Sequence, residues 1–372
     1  SFLTYDSAAG LLRALPSAPA GSTLQNAGAD AYFLAETPQT LTASASLYAL
    51  RNQGQILDLG IHTLTFNTSN FGVAGLILNG GVIRGGTLNF SSETVIYTSM
   101  AGATIGSDIT SAVQSFDNGL TFFGPGAVTL SGEVSFVEGS STSTVNSGTL
   151  RIDGTIQGNI DVQPEATLGG SGIVQGAISG GLLSPGNGPG ILTANALKRA
   201  ERADAFSSGI SPTSFAFEFS RAGMPDFSDS TDSGNDLLRL TNSTAPFVTP
   251  LGSESEISLF FQTNGLQFGD QFYGGFYTDR RADFSTAFEN ATFHVYLRDP
   301  AGSFLFEGEH YSLNESLDLA ITTVPLSADF GAGPIAGQIM QIQVVPEPTA
   351  TAFLIASLLG TTLIRRRRPR SC

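Results

Sequence analysis

The chain has 372 residues, with 17 Lys+Arg against 32 Asp+Glu and a net charge of −15. The last five basic residues follow Ile364, so the body up to Pro348 carries −20, which excludes nucleic-acid binding by phosphate neutralisation. There is no Trp, and the single Cys, Cys372, is the final residue, so neither an internal disulfide nor a Cys-based metal site is available.

The chain opens with Ser1-Phe2-Leu3-Thr4, without Met, a basic stretch or an apolar core. An exported protein's leader has those features, so the expectation is that the N-terminus is missing, either processed or truncated. Short apolar couplets then recur, punctuated by Gly and Asn. "QILDLGIHTLTF" sets Leu57 and Leu59 around Asp58, and Leu64 and Phe66 around Thr65. "GLILNGGVIRGGTLNF" follows with Leu76, Leu78, Val82, Leu88 and Phe90, and "GTLRIDGTIQGNIDV" with Leu150, Ile152, Ile156, Ile160 and Val162. Alternation of period two over three to five residues predicts short half-buried strands, and Gly-Gly or Asn-Gly pairs predict sharp bends. Strands so short and close suit coils of about 20 residues, each stacked on the next. The pattern favours an all-β right-handed parallel β-helix, with a sandwich or Greek-key barrel as the alternative. The 44 glycines supply the turns.

Four consecutive stretches sharpen that reading: "LTFFGPGAVTLSG", "VNSGTLRIDGTI", "EATLGGSGIVQGAI" and "LLSPGNGPGILT". Together they resemble the autotransporter-associated β-strand repeat of large secreted bacterial proteins. In the box around Pro185 and Pro189, proline presets φ, and Gly186 and Gly190 are expected to take positive φ. Phe122-Phe123 departs from the polar or basic pair expected before the Gly-x-Gly step, and the region holds about one copy. The solenoid is therefore assigned to residues 1–115 and the repeat-like coils to 116–200.

Composition shifts near residue 200, with nine Phe before it and seventeen in residues 200–345. "TSFAFEFS" places Phe215, Phe217 and Phe219 on one face. This predicts a Phe-rich, β-sandwich-like domain over 201–345, which also caps the solenoid. The charged segment 194–205, with Lys198-Arg199 and Glu201-Arg202, reads as a short helix at the joint. "GNDLLRL" remains open as a further solenoid strand.

Few residues point to chemistry. His62, His294 and His310 are not spaced for one metal, and neither an HExxH nor a Gly-x-Ser-x-Gly motif occurs. Glu309-His310-Tyr311 reads as a polar cluster at a strand end. Asp153 and Asp161, eight residues apart with Arg151 nearby, are the carboxylates a β-helix polysaccharide lyase or hydrolase would need on one face. The acidic stretch "PDFSDSTDSGND" offers Asp226, Asp229, Asp232, Asn235 and Asp236 as hard oxygen ligands. It is either a solvated loop or a structural Ca2+ site, and no other cofactor is expected.

The chain closes with "VVPEPTATAFLIASLLGTTLIRRRRPRSC". Residues 349–364 carry no charge and predict an apolar transmembrane helix of about 24 Å, slightly short of a hydrocarbon core. Arg365, Arg366, Arg367, Arg368 and Arg370 follow it and by the positive-inside rule stay cytoplasmic. Pro346-Glu347-Pro348, the apolar run and the arginines, in that order, resemble a PEP-CTERM sorting signal over residues 346–372. The resemblance implies an exported bacterial protein, held transiently at the inner membrane and processed near the Pro-Glu-Pro site by a membrane enzyme of the exosortase type. The combined expectation is a non-enzymatic cell-surface or matrix protein with a structural or adhesive role, in contact with exopolysaccharide or matrix. The alternatives are the β-helix polysaccharide enzyme and a single-pass protein whose tail is a permanent anchor.

Overall fold

The computed structural model describes residues 3–6, 11–14, 21–66, 74–91, 93–111, 119–136, 141–186, 188–198, 200–201, 210–211, 214–225, 227–228, 234–242, 255–262, 266–267, 269–279, 292–298, 304–308, 317–331 and 333–346. These residues are all-β apart from one 3-10 turn, Leu24–Asn26. Most strands belong to one twelve-stranded and one nineteen-stranded sheet, in which successive turns of the chain pair in parallel.

Alternation along each strand explains the stacking. Thr63–Phe66, Thr87–Phe90 and Ala127–Leu130 each bury every second side chain. In-register pairing then places apolar residues of one turn on those of the next. Leu57, Ile83, Ile105, Leu130 and Ile152 form one such column in the twelve-stranded sheet. Leu64, Leu88, Ile109, Val134, Ile156, Val174, Ala194 and Leu240 form a second. Leu50, Leu76, Ile96, Phe122, Val145 and Val162 form a third. At roughly 4.8 Å per strand the second column runs about 34 Å. All these residues are essentially inaccessible to water. The hydrophobic term therefore acts along the whole stack rather than at one centre.

The length of a turn is not constant. Val82 pairs with Ile56, 26 residues earlier, whereas Leu183 pairs with Leu168, only 15 earlier. The shortening has a local cause. Ile173–Ser179 is a seven-residue strand that serves two ladders at once, pairing with both Thr155–Ile156 and Asn159–Val162. Its register shift against Ile191–Lys198, between Val174 and Ala177, bends it across the corner.

Three expectations are corrected here. First, the Phe-rich region is not a separate sandwich after a solenoid. Ser214–Phe219 pairs in parallel with Leu182–Pro185, Glu256–Phe261 with Ser214–Phe219, and Thr292–Arg298 with Glu256–Phe261. Leu237–Leu240 likewise continues from Ile191–Ala194. The phenylalanines thicken the same core: Phe215 and Phe217 meet Phe276 edge-on, at 4.8 and 5.0 Å between ring centroids. Second, the helix expected at 194–205 is replaced by strand over Ile191–Lys198 and Ala200–Glu201, because ladder pairing on both sides outweighs the helix preference of its charged residues. Third, the transmembrane helix of the expected fold is not found: among the described residues no helix is long and apolar enough to cross a membrane, and 349–364 lie outside them.

Both ends of the stack are closed locally. Leu24, buried at the near end, sits in the 3-10 turn. The Leu24 amide donates to Gln39 Oε1 at 3.1 Å, while Gln25 Oε1 accepts from the amides of Thr42 and Ala43. At the far end pairing turns antiparallel. Phe304–Gly308 covers Thr292–Arg298, and the thirteen-residue strands Leu317–Asp329 and Pro334–Pro346 form a hairpin against Gln271–Asp279. The hairpin also builds a small second core, in which Ala328 and Ile339 meet Ile191, Leu237 and Tyr277. Tyr277 donates its hydroxyl to the Ile335 carbonyl at 2.6 Å, and burial, with the Asp279 carboxylate second, pushes the phenol up to about 12. Arg239 forks onto Asp279 at 3.1 and 2.9 Å and lies over the Phe330 ring at 4.1 Å. The edges of Thr292–Arg298 and Gln271–Asp279 are thereby paired instead of being left to template pairing.

One core position is chemically mismatched. Phe66 and Phe90 pack at 4.7 Å between centroids, and the next residues in that row are Ser111 and then Phe136. The Ser111 hydroxyl is buried and has no hydrogen-bond partner among the described residues. Ser111→Ala removes that penalty and is expected to raise unfolding stability by about 1 kcal/mol, read as a higher urea midpoint at unchanged slope.

Candidate functional site

Alternation that buries one set of side chains exposes the other, again in register. On the twelve-stranded sheet one outward row runs Ile56, Val82, Thr104, Thr129, Arg151, Gly169, Ser184. Part of this face is concave. Gly81, Gly102, Ala103 and Ala127 carry little or no side chain, and with Thr104, Thr129 and Arg151 they line a groove of about 310 Å3. Beside it Arg84 pairs with Asp58 at 2.9 Å; a hydrogen bond donated by the Gly60 amide and this guanidinium hold the half-buried Asp58 carboxyl below its ordinary range. On the nineteen-stranded sheet another outward row runs Arg51, Ile77, Tyr97, Phe123. Phe123 meets Tyr97 edge-on at 5.0 Å, whereas Phe122 points into the core. This accounts for the aromatic pair at a position where the repeat resemblance leads one to expect polar residues.

The carboxylates singled out for catalysis do not share a face. Asp153 lies in the bend after Gly148–Ile152, and its Oδ1 accepts from the Ser171 amide at 3.2 Å. Asp161 lies on Asn159–Val162 in the other sheet, accepting from Gln163 Nε2 at 3.1 Å and Ser179 Oγ at 3.2 Å. Arg151 belongs to the twelve-stranded sheet. The turn of chain between Arg151 and Asp161 separates the acid from the cation that sequence spacing had placed together. His62 sits in a turn and His294 faces outward in register with Ser258. His310, with Glu309 and Tyr311, lies outside the described residues.

Of the acidic stretch, Asp226, Asp229 and Asp232 lie outside the described residues. Asn235 and Asp236 are fully buried and already engaged. Asn235 Oδ1 accepts from the Ser220 and Arg221 amides, and its Nδ2 donates to the carbonyls of Arg221 and Tyr273, all at 3.0 Å. Asp236 Oδ1 accepts from the Gly190 amide at 3.0 Å and Oδ2 from the Glu218 amide at 2.7 Å. Burial pushes the Asp236 carboxyl well above the usual range, the nearby Glu218 charge adding to it. The two residues pin neighbouring turns together. Among the described residues no group of three or more His, Cys, Asp or Glu is placed to hold a metal ion.

The glycine-proline box supplies one of these contacts. Gly186 and Gly188 take φ of +81° and +103°, and Gly190, expected to do so, does not. The turn they make presents the Gly190 amide to Asp236. Of the tail residues that resemble a sorting signal, Pro346 ends the last strand, paired opposite Leu317; Glu347, Pro348 and Arg365, Arg366, Arg367, Arg368 and Arg370 lie outside the described residues. The groove and the buried Asp236 were the features that sequence patterns did not reveal. The single positive charge in the outward row, Arg151, was the one signal for the groove.

No family model matches the chain, and neither a curated protein nor a solved structure matches it.

Proposed function

We propose that this chain is an exported cell-surface or extracellular-matrix protein with a structural and adhesive role, sorted through its C-terminal signal. The observation that carries this reading is the order of the tail: Pro346-Glu347-Pro348, an uncharged apolar stretch, then the arginine cluster. The architecture supports it in a second way. A long parallel stack with side chains repeated in register presents extended faces, which suit adhesion better than a deep catalytic cleft. The net acidity keeps such a surface soluble and turns it away from nucleic acid. Its partners under this reading are an exosortase-type processing enzyme and matrix polysaccharide.

The test is mass spectrometry of C-terminal peptides from surface and membrane fractions of the native host. The expected mature surface form ends near Pro346–Pro348. Peptides continuing to Cys372 in the mature membrane pool would instead identify the tail as a permanent anchor.

A further inference from the structure

We infer that the terminal hairpin is a stop that sets where the tail is cut: the body holds the chain through Val344, so the cut falls between Pro346 and Thr349. This rests on the sorting reading and adds to it the part of the fold that fixes the mature end.

The last strand, Pro334–Pro346, is gripped along both edges. On one side its register to Leu317–Asp329 runs unbroken, from Pro334 opposite Asp329 to Pro346 opposite Leu317. On the other it pairs with Gln271–Asp279 from Gly337 to Gln343, and Val344 closes that edge. The Val344 amide donates to the Asp270 carbonyl at 2.9 Å, and the Val344 carbonyl accepts from the Gly269 amide at 3.0 Å. Asp270 Oδ2 accepts from the Gln267 amide at 2.8 Å, which shapes the turn that receives Val344. The Val344 side chain is fully buried. Along a strand, amides facing one edge recur at every second residue, so the next after Val344 belongs to position 346. That position is proline, which has no amide hydrogen. Pro348 repeats the omission one strand period later in the sequence, so the spacing of the two prolines withholds donors from the edge that Val344 uses. The uncharged run begins at Thr349, which leaves the bonds Pro346–Glu347, Glu347–Pro348 and Pro348–Thr349 between ladder and run. Extended peptides are taken up through their main-chain hydrogen-bonding groups. Those of Val344 are occupied, and freeing them requires the strand end to open. Hydrolysis beyond that point adds one water across a peptide bond, leaving a carboxylate on the body and an amine on the tail.

The experiment is limited digestion of the purified full chain, in mild detergent, with a broad-specificity protease, mapping by mass the new C-terminus nearest the tail. The wild-type body is expected to end at Pro346 or later. Val344→Asp puts a charge in the buried, doubly bonded position and should speed cutting upstream of Pro346 about ten-fold or more. Asp270→Ala, which only loosens the receiving turn, should do so more weakly, and it decides alone where Val344→Asp does not fold. Val345→Thr, at a half-buried position, should leave both rate and end unchanged. A folded wild-type body that ends between Pro334 and Val345, or folded Val344→Asp and Asp270→Ala bodies that keep the wild-type rate and end, overturns the inference. The two readings fail separately. A tail retained through Cys372 in the native host refutes the sorting reading and leaves the digest standing, whereas a cut within the last strand refutes the stop even where the tail is processed.

Discussion

Asp236→Ala is expected to lower unfolding stability by roughly 2–4 kcal/mol, a large effect for a single polar substitution. The side chain is 1% exposed, and its two oxygens each satisfy a backbone amide, Gly190 on one side and Glu218 on the other. Its own backbone accepts from the Gly275 amide and donates to the Glu218 carbonyl, both at 2.8 Å. Truncation strands two buried donors in the middle of three consecutive turns. The effect also depends on pH, with a definite sign. Burial raises the folded-state pKa above the unfolded value of about 3.9. Between those two values the folded state binds more protons than the unfolded one, so the contribution of Asp236 to stability is complete below about pH 4 and declines as pH rises towards the raised folded value. The difference between wild type and Asp236→Ala is therefore widest near pH 4 and narrows towards neutrality. Urea titrations of both proteins at pH 4, 5.5 and 7 measure it; taking the difference removes the titration of the other carboxylates. A difference independent of pH would mean that the buried carboxyl ionises as readily in the folded protein as in water, and one that grows with pH that it ionises more readily there.

Gly148→Ala is expected to cost about 3 kcal/mol or more. Gly148 adopts φ of +75°, a conformation that L side chains rarely take. A Cβ at this position would also run into the carbonyl oxygens of Gly124 and Gly126 on the preceding turn. The strand that follows, Gly148–Ile152, pairs in parallel on both sides, so the backbone has no free direction in which to yield. Gly28→Ala is the matched control. Gly28 has φ of +94°, and no atom lies within 4 Å of the place a Cβ would take, so only the backbone cost of about 1–2 kcal/mol applies. Equal urea midpoints for the two variants would show that the close approach between turns contributes nothing.

Much of the local structure is legible in the sequence. Leu64 and Phe66 around Thr65, or Leu88 and Phe90 around Asn89, alternate because one side of each strand meets core and the other meets water. The Asn-Gly and Gly-Gly pairs sit in the turns between strands, where Gly80, Gly81, Gly85 and Gly86 all have positive φ. Local preference misled at 194–205. Lys198 and its charged neighbours suit a helix in isolation, but strand pairing to Ile173–Ser179 supplies hydrogen bonds and burial that an isolated helix lacks.

The sequence by itself determined the strands, the bends and the inward column of Leu, Ile, Val and Phe, because each follows from side chains within a few residues of one another. Only the tertiary structure decided what each strand lies beside. The alternation in Ser214–Phe219 is the same whether its phenylalanines face an opposing sheet or the interior of the next turn, and parallel pairing with Leu182–Pro185 chose the second. The same holds for charge. Asp153, Asp161 and Asp236 are equivalent as letters, yet the path of the chain turns the first two to different faces and closes the third inside, where burial rather than spacing sets its chemistry.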